Sequence, residues 1–393
     1  MPAAPVRSEP RQQPAHDHVS APSFALDRRL AALDGIRGLA IIAVFLSHAA
    51  VDSTTGWLAR WFSWGWMGVD LFFVLSGFLI TGILLEAIGQ PARIYYGNFY
   101  ARRFLRLAPA LCLFLAVLFY LAPALGRPLT QPEMADLGAR QGWYWSYLVN
   151  FLVARYQSFD AAPAGTSPLW SLSVEEQFYL IWPFLVARAG TPSRVRNLSI
   201  ATIVFAMAAR GVAWHFGYGG LPTYVLTFTR ADSLGWGALL ASLLRMPKGE
   251  EMIRGLQLPL IVLGIALLTI VANVDSAWPS WEGAPMQHVG FPGLAVGCAG
   301  LVAYVVARQP RALAWKPLAQ VGFYSYALYL WHSTVLVILE RVTQVHGPLF
   351  VLFGAVVCAA PVALSWFAIE RPAMRLKARF PMSSRRQLRL VET

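Results

Sequence analysis

Arg37 and His48 stand eleven positions apart in LDGIRGLAIIAVFLSHAA, the first long apolar run of this 393-residue chain. In a helix that spacing is three turns, about 16 Å of rise, and it puts both side chains on nearly one face. An imidazole at such a place can move a proton or carry an acyl group, and a guanidinium can hold an anion. Plainer roles exist for both. An Arg near the end of a membrane span can snorkel towards headgroups, and a His can serve as a hydrogen-bonded structural residue.

Further polar groups recur in apolar surroundings. WSLSVEEQFY puts Glu175 and Glu176 in the first two turns of a helix that continues LIWPFL. Consecutive helical residues point about 100° apart, so only one of the two need face a shared cavity. TFTRADSLGWG contributes Arg230 and Asp232, which could simply pair with each other. In GFYSYALYLWHS, Ser325, Tyr329 and His332 fall at i, i+4 and i+7, one polar stripe along a helix. Ionisable groups in hydrocarbon need partners or a wet cavity. His48, one Glu, Arg230, Asp232 and His332 are therefore expected to gather at one depth, in a catalytic or transport cavity.

RIYYGNFYARRFLRLAP adds Arg102, Arg103 and Arg106. They are either an ordinary positive-inside cluster or a clamp for phosphate, which Arg meets with several directed donors. No Walker loop or dinucleotide-binding glycine pattern accompanies them. Gly68, Gly77 and Gly82 in GVDLFFVLSGFLITG read as sites of close helix packing.

The elements that must hold these groups follow from composition. Of the residues, 57% are apolar and only 13% charged, against roughly 25% charged in soluble domains. Lys and Arg number 32 against 20 Asp and Glu, a net +12. Disorder, a nucleic-acid-binding domain and a disulfide scaffold all fit poorly. Cys112, Cys298 and Cys358 are scattered through apolar runs without metal-ligand spacing, and no metal site is expected.

The predicted fold is an all-α polytopic membrane bundle of about 10 helices, since a span needs about 20 apolar residues. They fall near 31–51, 65–86, 104–123, 170–188, 197–215, 224–244, 255–273, 289–307, 320–339 and 349–369. WYWSYLVNFL at 143–152 could be an interfacial or re-entrant helix. With the N-terminus inside, 24 basic residues fall on the cytoplasmic side and 5 outside, which predicts an even number of spans and both termini cytoplasmic. Residues 1–29 read as a flexible cytoplasmic tail without a signal peptide, 30–372 as the membrane domain and 373–393 as a basic cytoplasmic tail. In the long outer segment 124–169, PLTQPEM and FDAAPAGTSP read as irregular structure. Trp57, Trp61, Trp64, Trp66, Trp143 and Trp145 form an interfacial belt or a surface for stacking sugars.

DGIRGLAIIAVFLSH, GVDLFFVLSGFLI, FYARRFLRLAP, WSLSVEEQFYLIWP, TRADSLGWGALLA and YSYALYLWH, with IERP at 369–372, resemble the integral-membrane acyltransferase-3 family in content and order. The resemblance covers roughly 30–372. It implies transfer of an acyl group, often acetyl from acetyl-CoA, to a hydroxyl, usually of a carbohydrate in the bacterial envelope. It implies that His48 and Arg37 match the family's essential pair and that Arg102 and Arg103 match its paired arginines. Larger relatives carry an added extracytoplasmic esterase-like domain, from which this chain departs by stopping soon after Pro372.

On this reading His48 is general base or transient acyl carrier, oriented by Glu175 or Glu176. Arg230, Tyr329 or His332 donates to the oxyanion, and Arg37, Arg102, Arg103 and Arg106 hold acyl-CoA. No tightly bound cofactor is expected. The expected partners are acyl-CoA, a glycan, lipid-linked glycan or glycoside, and lipids, but not nucleic acid; a homo-oligomer is compatible. The expected location is the bacterial inner membrane. A transporter or flippase for a lipid-linked saccharide is the alternative from another class.

Overall fold

The structure is a computed structural model that describes residues 26–50, 62–121, 130–274 and 281–382. Every regular element among the described residues is a helix. In chain order they include α1 (Leu26–Ala50), α2 (Gly68–Glu86), α3 (Phe99–Ala116), α4 (Gln131–Trp145), α5 (Val149–Tyr156) and α6 (Leu169–Ala189). Then come α7 (Pro192–His215), α8 (Leu221–Val225), α9 (Thr227–Leu244), α10 (Gly249–Val274), α11 (Phe291–Arg308), α12 (Lys316–Phe323), α13 (Ser325–Val342), α14 (Pro348–Leu364) and α15 (Arg371–Arg375).

The protein is a multi-pass membrane bundle. Seven of its helices are long and apolar enough to cross a bilayer, and the pair α12–α13, bent by 72°, makes a candidate eighth. The other two expected spans exist as α6 and α9 but are not among these candidates. Each carries charges, Glu175 and Glu176 in one and Arg230 and Asp232 in the other, which make it more polar. Large apolar side chains point outward on the peripheral helices, including Val204 and Phe205 on α7, Val262 and Ile265 on α10, and Leu352 and Val356 on α14. In a bilayer such a surface faces lipid at no hydrophobic cost.

α2 and α9 form the centre. A Cβ on Gly77 would lie 2.0 Å from the Leu234 carbonyl oxygen, and one on Gly237 would lie 1.9 Å from that of Val74. The two backbones therefore touch, as the glycines of α2 predict. α6 is fixed to α2 by the Trp182 indole N–H, which donates to the Thr81 hydroxyl at 2.8 Å. It is fixed to the helical turn before α3 by the Tyr95 hydroxyl, which donates to the Pro183 carbonyl at 3.0 Å, and to α3 itself by the Tyr100 hydroxyl, which donates to the Leu180 carbonyl at 2.9 Å.

Three expectations change. As far as Leu121, the apolar run at 104–123 is part of a longer span that begins at Arg93, so Arg102 and Arg103 stand on α3 rather than in a loop. A helix carries backbone hydrogen bonding past the apolar stretch that signals it. The run at 320–339 is two helices broken at Tyr324, whose ring and that of Phe323 both pack on Trp366. PLTQPEM is helical from Gln131 onward. The Thr130 hydroxyl accepts the Glu133 backbone N–H, and the Glu133 carboxylate accepts the Thr130 N–H, a reciprocal cap that starts α4. FDAAPAGTSP is a short turn of helix followed by turns, as expected. WYWSYLVNFL spans the end of α4, a turn and the start of α5.

Candidate active site

A cavity of about 520 Å³ opens among α1, α2, α3, α6, α13 and the chain beyond α15. Helical spacing orders its wall. Ser171, Glu175 and Tyr179 of α6 all line it; at i, i+4 and i+8 they form one face about 12 Å long. Asp34 and Arg37 of α1 line it, as do Arg102, Arg103 and Arg106 of α3 and Ser325 and Tyr329 of α13. The four arginines expected to hold acyl-CoA, Arg37, Arg102, Arg103 and Arg106, thus share one cavity.

Arg103 is held most firmly. Its guanidinium carbon sits 3.3 Å from the centroid of the Tyr179 ring, and Nη2 donates to Glu176 Oε1 at 3.0 Å. This is a cation–π contact joined to a charge-assisted hydrogen bond. Arg102 Nη1 donates to the carbonyls of Lys377 and Phe380 at 3.4 and 3.2 Å. Arg37 lies 3.9 Å from Asp34 one turn earlier on α1. The two adjacent glutamates divide as the 100° offset predicts. Glu175 lines the cavity and accepts the Ser76 hydroxyl at 2.7 Å, while Glu176 pairs with Arg103.

Tyr329 is the last cavity residue of α13 before His332. Its hydroxyl lies 2.5 Å from that of Ser171 and donates to the Pro168 carbonyl at 3.0 Å. The Tyr329 and His332 ring centroids are 5.5 Å apart, and the His332 and His48 centroids are 5.0 Å apart. His332 is completely buried, whereas His48 is exposed at its place on α1.

His48 Nδ1 lies 2.8 Å from the Val44 carbonyl oxygen. A carbonyl only accepts, so Nδ1 carries the proton and Nε2 of the neutral ring carries the lone pair. The expected orientation of His48 by a glutamate is replaced by this contact within α1. Among the described residues neither Glu175 nor Glu176 hydrogen-bonds to His48. His332 Nδ1 likewise faces the Tyr329 and Leu328 carbonyls at 2.9 and 3.1 Å, which leaves its Nε2 as an acceptor in the neutral ring.

Arg230 and Asp232 stand apart from the cavity wall and do not pair with each other. Arg230 Nη2 bonds Asp70 Oδ1 at 2.5 Å, and the Ser233 hydroxyl donates to the same oxygen at 2.9 Å. The Arg230 guanidinium carbon lies 4.1 Å from the Phe291 ring centroid. Asp232 Oδ2 accepts Arg210 Nη2 at 2.5 Å. All four charged side chains are at most 1% exposed. Sequence reasoning passed over Asp70 and Arg210 as partners, although each is a charge inside an apolar run and so required one. It also passed over Ser76, Tyr179 and Lys377. Trp57 and Trp61 lie outside the described residues.

The profile of an acyltransferase domain matches residues 30–370. A candidate peptidoglycan O-acetyltransferase of Bacillus subtilis is 29% identical over 355 residues, covering 88% of this chain and 55% of the relative. The O-acetyltransferase OatA of Staphylococcus aureus is 28% identical over 364 residues, covering 88% and 57%. A peptidoglycan O-acetyltransferase of Listeria monocytogenes is 28% identical over 331 residues, covering 80% and 51%. The chain spans about half the length of the curated relatives it matches. No solved structure matches it.

Proposed function

This chain belongs to the acyltransferase-3 family, and on that footing we propose that it moves an acyl group, acetyl in the first instance, from acyl-CoA to a hydroxyl of an envelope glycan. The observation that carries the proposal is continuity. One cavity joins an arginine cluster to Tyr329, Tyr329 packs on His332 just behind the wall, and His332 in turn meets His48. An anionic donor with a long arm suits such a cavity, with its nucleotide phosphates at Arg102, Arg103 and Arg106 and Arg37 steering the arm.

The chemistry assigned to His48 follows from its tautomer. Nε2 takes the proton of the acceptor hydroxyl as that oxygen attacks the thioester carbonyl. The carbon–oxygen bond forms, the carbon–sulfur bond breaks, and the proton passes to the departing CoA thiolate. In the variant route Nε2 itself attacks the thioester carbonyl and the carbon–sulfur bond breaks; the acceptor oxygen then displaces the histidine from the acyl carbon, and its proton passes to the CoA thiolate. We assign oxyanion stabilisation to Tyr329, the candidate donor that lines the cavity, its single O–H turning from the Pro168 carbonyl to the oxyanion when substrate is bound. Arg230 and Asp232 we assign to holding α2, α7, α9 and α11 together. Ten spans with both termini cytoplasmic, in a bacterial inner membrane, complete the proposal. The relatives' names favour peptidoglycan or a related polysaccharide as acceptor.

The test incubates the purified protein with isotope-labelled acetyl-CoA and candidate glycans and locates the label by mass spectrometry. Label on a glycan hydroxyl, dependent on His48, is the expected result. Saccharide movement across proteoliposomes without any acyl-CoA requirement would replace this reading with that of a transporter.

A further inference from the structure

Lys377 lies beyond residue 370, where the match to the acyltransferase domain ends, yet it lines the same cavity as Arg102, Arg103 and Arg106. We infer that Lys377 is an additional ligand for the phosphates of the acyl donor, presented by a C-terminal turn that straps across α3. The inference rests on the acyl-CoA reading above and adds to it a residue and a device.

The strap is built by side-chain to main-chain hydrogen bonds. After α15 the chain makes a tight helical turn, Leu376–Arg379. Arg102 donates to two of the carbonyls in this stretch, those of Lys377 and Phe380. The Asn98 side-chain amide donates to a third, that of Pro381, at 2.6 Å. Met382 then joins the cavity wall. The turn that carries Lys377 is thereby fixed against the helix that carries the arginines. A guanidinium has five N–H donors, so Arg102 can hold the strap and still offer donors to an anion.

The charge balance of the wall shows where an anion is wanted. Arg103 is matched by Glu176, Arg37 lies beside Asp34, and Arg245 is bonded to Glu86. Among the described residues, Arg102, Arg106 and Lys377 have no carboxylate within salt-bridge distance. All three are half-buried, and the turn after α15 brings Lys377 into one cavity with Arg102 and Arg106 of α3 from some 270 residues away. Three partly desolvated cations repel one another unless an anion joins them. The nucleotide end of CoA, with a diphosphate and a separate phosphate, supplies several negative charges in a compact group.

The test uses the full chain purified in a maltoside detergent, with acetyl-CoA and acetyl-pantetheine, which lacks the nucleotide, as calorimetric titrants. Lys377→Ala is expected to weaken acetyl-CoA binding about tenfold, the scale of one lost charge-assisted hydrogen bond. Acetyl-pantetheine binding should stay unchanged, and Lys377→Arg should restore acetyl-CoA affinity. Lys377→Met, which keeps the aliphatic stem, serves as the second variant if alanine lowers the melting temperature. Wild-type binding of acetyl-CoA with no loss in either Lys377→Ala or Lys377→Met overturns the inference and leaves the proposed function standing. Absence of acetyl-CoA binding by the wild type overturns both. A third arm adds phosphatidylglycerol; if the substitutions reduce its retention and spare acetyl-CoA affinity, the lysine serves a lipid headgroup and the inference is overturned.

Discussion

The rings of His48 and His332 meet edge to face, 79° between planes, although they stand on helices at opposite ends of the sequence. Each Nδ1 is turned to a backbone carbonyl of its own helix. The helices therefore fix both tautomers, and each neutral ring keeps Nε2 free to accept. A pair of acceptors can take a proton from an incoming hydroxyl, but neither donates to an oxyanion without first being protonated. This separates the base role from the oxyanion role, and it favours Tyr329 over His332 for the latter.

Replacing His48 by Ala should lower acyl transfer at least about 100-fold, the lower end of what general acid–base groups contribute. Because His48 is exposed, its loss should leave the melting temperature and acetyl-CoA affinity close to wild type. Transfer of labelled acetate, measured beside a melting curve, checks both. Near-normal turnover would remove His48 from the chemistry.

Asp70→Asn should destabilise the protein strongly, by about 3–5 kcal/mol, because it leaves Arg230 buried without its counter-charge. Replacing both partners together, Asp70→Leu with Arg230→Met, should recover most of that loss. Unfolding in detergent measures both variants. Full stability of Asp70→Asn combined with lost transfer would instead return Arg230 to the catalytic groups.

Glu175 and Glu176 should separate kinetically. Glu176→Gln loosens Arg103 in its seat on Tyr179, so KM for acyl-CoA should rise several-fold with kcat little changed. Glu175→Gln alters a group on the cavity wall itself and should act on kcat. Steady-state kinetics on the two variants decides this, and identical profiles would contradict the division of the two side chains.

Outside the spans, two hydrogen bonds from Arg341 hold the Glu133 carboxyl down at about 2, from an ordinary value of 4.5, with the Thr130 N–H and hydroxyl contributing. A carboxyl depressed in the folded state stabilises above its unfolded pKa, and that stabilisation is lost as pH falls towards the folded one. The melting-temperature difference between wild type and Glu133→Gln should be level above about pH 5 and shrink between there and about pH 2. The contribution is small, at most about 1 kcal/mol for so open a pair. A difference independent of pH would show that the cap of α4, not the charge, matters.

Much of this protein was legible in one dimension. Runs of apolar residues announced the helices, because hydrocarbon enforces helical hydrogen bonding wherever a chain crosses it. The eleven-residue interval between Arg37 and His48, and the stripe of Ser325, Tyr329 and His332, are properties of single helices and survive into the structure. The Thr130–Glu133 cap is equally local, and the proline that follows sits in the first turn of α4, where a helix tolerates it, rather than breaking the helix.

Pairings between helices were not legible, because adjacency in a bundle is set by packing and not by order along the chain. Asp232 stands only two residues from Arg230 on α9. Yet side chains two apart on a helix diverge, and packing at Gly77 and Gly237 instead brings Asp70 to Arg230 from 160 residues away. The same logic gave Asp232 to Arg210, His48 to His332, and Lys377 to the arginine cavity. The sequence by itself determined a helical membrane protein of a recognisable family and the depth of each polar group along its own helix. Only the tertiary structure decided which of those groups meet, since buried charges must be satisfied by whatever neighbours close packing supplies.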